Sequence, residues 1–225
     1  MNQMISTLIA LMHSQAAAKY PELQKTWITV SGRLAGQISG GPFVFDAQQC
    51  GHIDLLIRCL EDEFDPQNPN VELTMMVDTY KVMLSNIWIG AMYEIFRSLN
   101  QVNKEVFASK ELSDIYRHLR MLRVSIEKHE IARDHKLKEP LQLVASPRNG
   151  DETDFREYDP KSPNKHYILP TSVHLDTGSV GWAPIDVDDA QRQPWLYRRE
   201  ISDRILCFWM NFNGIARVEL SSSDD

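Results

Sequence analysis

Arg123 and His129 stand six positions apart in the stretch RMLRVSIEKHE, residues 120–130. Arginine offers a planar, permanent positive charge suited to phosphate oxygens, and histidine moves protons near neutral pH. Together they suit metal-free cleavage of RNA. A base takes the proton of a 2′-OH, that oxygen attacks the adjacent phosphorus, and the guanidinium neutralises the developing charge. On a straight helix six residues advance about 9 Å and leave the two side chains about 120° apart. They would border one pocket only across a kink, or with a second copy supplying part of the site. Arg117, Arg120 and Lys128 are the neighbouring candidates for RNA binding. A plain account of the same residues stands beside this one. Glu127 lies i+4 from Arg123 and can pair with it, and His129 falls on the next position of an apolar stripe, where it would be a core histidine.

Other chemistries find less support. The seven histidines contain no HExxH pattern, and His129 and His135, six apart, do not share a helix face. Glu130 and Asp134 could share one, as surface carboxylates. SGRLAGQISGGP is glycine-rich but lacks the lysine of a phosphate loop, and no GxSxG elbow occurs. Neither a metal nor a cofactor is expected. Cys50, Cys59 and Cys207 form no CxxC pair, which suggests reduced thiols and a cytoplasmic protein.

The elements that must position these groups are mostly helical. The chain has 225 residues, 43% hydrophobic and 24% charged, enough for one sizeable core. Up to residue 138 prolines are few and the periodicity is helical. Beyond it come Pro140, Pro147, Pro160, Pro163, Pro170, Pro184 and Pro194. The spacing predicts helices over about 2–19, 21–36, 48–63, 70–101 and 109–136. In the first, Met4, Ile5, Leu8, Ile9, Met12 and Ala16 recur at helical spacing, which favours an amphipathic helix over a signal peptide. In the third, Ile53, Leu56, Ile57 and Leu60 make an apolar face. The middle of the fourth, VMLSNIWIGAMYEIF, is apolar almost all round, as in a helix central to a bundle or buried between two copies. Its exceptions, Asn86, Gly90, Tyr93, Glu94 and Arg97, draw a single polar seam facing either solvent or a cleft. Leu112, Ile115, Leu119, Leu122 and Ile126 form the core stripe of the fifth helix. Its segment from Lys110 to Lys138 has eight Lys/Arg against five Asp/Glu, a local +3 that leaves −10 for the rest of a chain of net charge −7. An acidic chain of this kind is no general nucleic-acid binder unless a local basic patch acts. Two short strands are expected around Asp176-Thr177-Gly178, and a last helix in RREISDRILCFWM with Ile201, Ile205 and Phe208 on one face.

The arginine, five intervening residues and histidine of Arg123–His129, placed late in a helical region, resemble the HEPN superfamily over about residues 1–138. Val124 departs from the family's active pattern, which commonly has Asn, Asp or His after the arginine. The resemblance implies an α-helical bundle, often dimeric, and a metal-independent ribonuclease, toxin- or defence-related, acting through Arg123 and His129 across the dimer interface. Other family members are inactive or serve as scaffolds.

The expectation is therefore a mainly α protein: a helical bundle over 1–138 and a small C-terminal α+β appendage over 139–225. It would be a homodimer with no membrane span. The leading expectation for its function, ahead of one other, is RNA cleavage, with Asn86, Tyr93, Glu94 and Arg97 as a supporting seam. The other is a non-catalytic adaptor or scaffold, binding a protein partner through the C-terminal region, where Trp182, Trp195 and Trp209 would be contact residues.

Overall fold

The computed structural model describes residues 4–37, 43–64, 71–144, 155–189 and 193–212. Six helices are described: α1 (Met4–Lys19), α2 (Pro21–Gln37), α3 (Phe43–Asp62), α4 (Val71–Val102), α5 (Lys110–Lys128) and α6 (Arg198–Asn211). Between α5 and α6 lie five short strands. β1 (Leu141–Val144) and β2 (Phe155–Tyr158) pair antiparallel, with Leu141 opposite Tyr158. β3 (Thr171–Val173), β4 (Val180–Trp182) and β5 (Leu196–Tyr197) form a second antiparallel sheet in that order. The protein is thus mainly α with a small C-terminal α+β region, and the turn between β3 and β4 falls on Asp176-Thr177-Gly178. The stretches GQISGGP, DPQNPN and SPRNGDETD and the SSSDD tail fall wholly or largely outside the described residues.

α4 is the centre. Trp88, Ile89, Met92, Ile95, Phe96 and Leu99 are all buried within the single chain, in one cluster with residues of α2, α3, α5 and α6. Most of the apolar middle therefore finds its cover within the chain, while Met83 and Ile87 stay exposed. From α5, Leu112, Ile115, Leu119 and Leu122 are fully buried and Ile126 partly so, as the stripe requires. The core runs on across the change of texture at residue 138: Val180, Trp182, Leu196, Ile201, Ile205 and Trp209 belong to the same cluster. Trp182 and Trp209 are core residues, not the contact surface expected of them, and only Trp195 of the three is exposed. A smaller cluster of Ile131, Leu137, Tyr158, Tyr167 and Ile185 lies beneath the first hairpin.

Three further sequence expectations change. α5 ends at Lys128 rather than near 136, and a short 3-10 turn at Asp134–Lys136 follows. α3 begins at Phe43, and its buried side carries Asp54, Arg58 and Glu61 beside Ile57. α1 is helical, but Met4, Ile5, Leu8, Ile9 and Met12 are exposed, and Ala16 is its single buried residue.

The charged side of α3 meets the start of α6. Arg198 donates from Nη2 to both oxygens of Glu61, at 2.7 and 2.8 Å, and from Nη1 to Asp54. The other Asp54 oxygen accepts from Trp27 Nε1 at 2.8 Å and from Arg58 Nε at 3.1 Å. Arg58 continues to Ser202 and Asp203, and the Arg198 guanidinium lies over the Trp88 ring. Burial alone would raise the Asp54 carboxyl, but the charges of Arg198 and Arg58 and the Trp27 hydrogen bond outweigh it, so its pKa lies below the ordinary value. Two cations and two anions close on one another here, which is how charged groups are tolerated in an interior.

A third buried cation pins the β3–β4 turn. Lys81, fully buried, pairs with Asp78 at 2.7 Å and donates to the Gly178 carbonyl at 3.3 Å. Gly178 has φ +65°, and a Cβ there would lie 2.5 Å from the Glu61 carbonyl oxygen, so the turn requires glycine.

Candidate functional site

The polar seam of α4 is only half-covered, the side chains of Arg97 and Glu94 being 41% and 45% exposed. It packs on α5. The Arg123 guanidinium lies over the Tyr93 ring, 5.3 Å from its centroid. Its Nη2 is 3.6 Å from Glu94, and its Nε is 2.9 Å from Glu127, too poorly aligned for a hydrogen bond. Glu94 also accepts from Arg97 at 2.6 Å. Glu127 sits over Gly90, where an added Cβ would be 3.0 Å from its Oε1. Tyr93 stacks on Tyr116, and Arg120 lies near the Tyr116 ring. Asn86 contributes a buried Oδ1 without a hydrogen-bond partner. Sequence spacing places Tyr93, Glu94 and Arg97 on one side of α4, and the docking of α5 brings Arg123 to them. Their charges balance: two guanidiniums face two carboxylates. The pairing of Arg123 with Glu127 is the one that i+4 spacing suggested.

His129 lies outside that seam. It is the C-cap of α5, in the left-handed region at φ 54° and ψ 40°, and its side chain is exposed. The core-histidine expectation is overturned, because the helix stops one residue before the apolar stripe would have taken it inside. The C-cap position commonly takes this left-handed conformation, and histidine enters it more readily than branched residues. The His129 carbonyl accepts from the Tyr167 N–H at 2.7 Å, and its ring centroid is 5.2 Å from that of His166. The following loop is held from below. Tyr158 accepts from the Ile131 N–H and donates to Asp134, which also accepts from Lys165 at 2.6 Å. Burial favours a higher pKa for the Asp134 carboxyl, but the Lys165 and Tyr158 hydrogen bonds hold it below its ordinary value.

The cations expected to bind RNA have intramolecular neighbours, with one exception. Arg117 pairs with Asp186 and lies 3.4 Å from Asp114. Arg120 borders Tyr116 and has a buried Nε without a hydrogen-bond partner. Lys128, in the last turn of α5, is exposed. The local excess of +3 is therefore largely spent on Asp186 and Asp188. Asp188 accepts from Lys136 and pairs with Arg133, and the Lys136 hydrogen bond leads the effects that lower its pKa. Among the described residues, no group of three or more His, Cys, Asp or Glu is placed to hold a metal ion. Among them too, no helix is long and apolar enough to cross a membrane.

His118, on the same helix, supplies a pH dependence. Burial, then the neighbouring charges of Arg204 and Arg117, push its pKa down from 6.5 to about 4. Its ring lies 3.2 Å from Arg204, whose Nε donates to Glu111 at 2.7 Å. Between these two pH values the unfolded chain holds a proton that the folded chain refuses. The His118 contribution is thus fully present above pH 6.5 and is lost as pH falls towards 4. The ring is partly solvated, so the loss is about 1–3 kcal/mol. His118→Gln should flatten the fall in melting temperature across that window. An unchanged slope would assign the acid sensitivity elsewhere.

The Asp54–Arg58–Glu61–Arg198 cluster is not legible from local sequence. Its one available signal was the i, i+4, i+7 spacing of charges on α3, which reads as a solvated face until α6 is placed over it. No family model matches the chain, and neither a curated protein nor a solved structure matches it.

Proposed function

We propose that this chain is a cytoplasmic helical adaptor or scaffold subunit that works through protein–protein contact. The observation that carries this is apolar exposure on two helices. Met75, Met76, Tyr80, Met83 and Ile87 of α4 are 45–68% exposed, and the last four fall at i, i+4, i+7 and i+11. On α1, Met4, Ile5, Leu8, Ile9, Leu11 and Met12 are 51–72% exposed. Apolar surface gathered in this way marks interaction sites, and methionine-rich faces adapt to their partners. A photo-crosslinking side chain placed at Met83 or Ile9 in living cells should give discrete protein adducts. A charged substitution at Tyr80 or Leu8 should remove them. Absence of discrete adducts at both helices would end this reading.

A second reading, HEPN-like RNA cleavage, is favoured by one observation: His129 is exposed at the end of α5, beside His166, and free to meet a substrate. Against it, Arg123 is flanked by two carboxylates. On this reading purified protein cleaves labelled RNA with EDTA present, and substrates lacking the 2′-OH are spared. His129→Ala should then slow cleavage by at least ~10²-fold while leaving the melting temperature unchanged, because the ring is exposed. Activity that survives both His129→Ala and Arg123→Ala would remove these residues from the chemistry.

A further inference from the structure

α1 divides into two unlike halves. The second half is anchored: Ala16 is buried, the His13 ring lies 5.7 Å from that of His52, and Lys19 and Tyr20 both reach Asp62. In the first half, every residue from Met4 to Met12 is exposed. That segment, MISTLIALM, carries no charge. A helical stretch of this length gains little from propensity alone, since isolated helices shorter than about 12–15 residues are marginal in water. Packing normally supplies the stability, and among the described residues the large apolar side chains of this half are more than half exposed.

We infer that Met4–Met12 form a self-association face, covered in the assembled protein by the same segment of a second copy. This rests on the interaction reading above and names its partner. Ile5, Leu8 and Met12 stand at i, i+3 and i+7, with Ile9 beside them, the spacing of a helix–helix seam. Six large apolar side chains, each more than half exposed, offer roughly 600 Å² per protomer, against about 800 Å² per partner in a standard interface. Charge argues the same way. The chain carries −7 overall, so two copies repel through most of their surfaces, whereas this face is uncharged. A lipid surface is a poorer occupant. Interfacial helices carry Lys or Arg on the polar face, and Met4–Met12 have neither. A two-fold interface is also self-complementary by construction, so a single apolar seam suffices for both partners.

The test is sedimentation equilibrium of the full chain across the micromolar range. The wild type should be a dimer. Ile5→Glu with Leu8→Glu should raise the dimer Kd by at least ~30-fold, the scale of a lost hot spot. The melting of the resulting monomer should match that of dissociated wild type, because neither side chain packs on the fold. Mixing that variant with one carrying Ile5→Lys and Leu8→Lys should restore association between unlike chains, which only direct pairing of the two segments explains. A wild type that stays monomeric, or a dimer that persists in both charged variants, would overturn the inference. Discrete crosslinks from Ile9 to a different protein, with a monomeric wild type, would overturn self-association and leave the adaptor reading standing. Absence of crosslinks from both α1 and α4 would remove both.

Discussion

Replacing Arg198 by Ala should cost about 3–5 kcal/mol, a large part of the roughly 5–15 kcal/mol that holds a domain folded. The side chains of Arg198, Asp54 and Glu61 are completely buried. Removing the guanidinium leaves Glu61 without its bidentate donor, and Asp54 with Arg58 and Trp27 only. Both carboxylates then face burial with too little compensation, and the Asp54 pKa, held down by Arg198 in the intact cluster, should rise. That gives the prediction a second readout. A carboxylate whose pKa is raised by folding gains stability on acidification, so the deficit of Arg198→Ala relative to wild type should shrink from pH 7 towards pH 5. Neutralising the partners as well, with Asp54→Asn, Glu61→Gln and Arg198→Met together, should recover much of the loss, since the charges rather than the shapes drive it. Urea unfolding at several pH values measures all of this. A pH-independent deficit would mean that lost packing over Trp88, not stranded charge, is responsible.

Leu119→Ala should cost about 2–5 kcal/mol, the range for a fully enclosed leucine whose cavity cannot collapse. Leu119 is 0% exposed and sits midway along the stripe that α5 presents to the core. For a chain of this size that is a fall of roughly 5–15 °C in melting temperature. Ile126, only partly buried on the same stripe, should cost less when truncated, and exposed Ile9 almost nothing within the monomer. A Leu119→Ala protein that melts with the wild type would show that α5 turns a different face inward.

The helices and the α5 stripe were legible in the sequence because they depend on neighbours three and four residues apart. The same holds for the Asp176-Thr177-Gly178 turn, where one glycine permits a positive φ, and for the gathering of Tyr93, Glu94 and Arg97 on one side of α4. What that side would face was not legible, because contact with Arg123 and Glu127 of α5 depends on how two helices are docked. The end of α5 was also misjudged. Periodicity carries it past His129, whereas the chain turns there because the Tyr167 N–H and the Tyr158 hydroxyl, both far onward in the sequence, take the His129 carbonyl and the Ile131 N–H. The charged side of α3 is the clearest case. Local spacing of Asp54, Arg58 and Glu61 indicates solvent, and only Arg198, 137 residues beyond Glu61, makes their burial affordable. Exposure on α1 was equally hidden: its apolar periodicity predicts a covered face, and the fold leaves that face bare. Short-range pattern determined which segments are helices. Long-range docking decided which of their faces are core, which are ion-paired, and which are left for a partner.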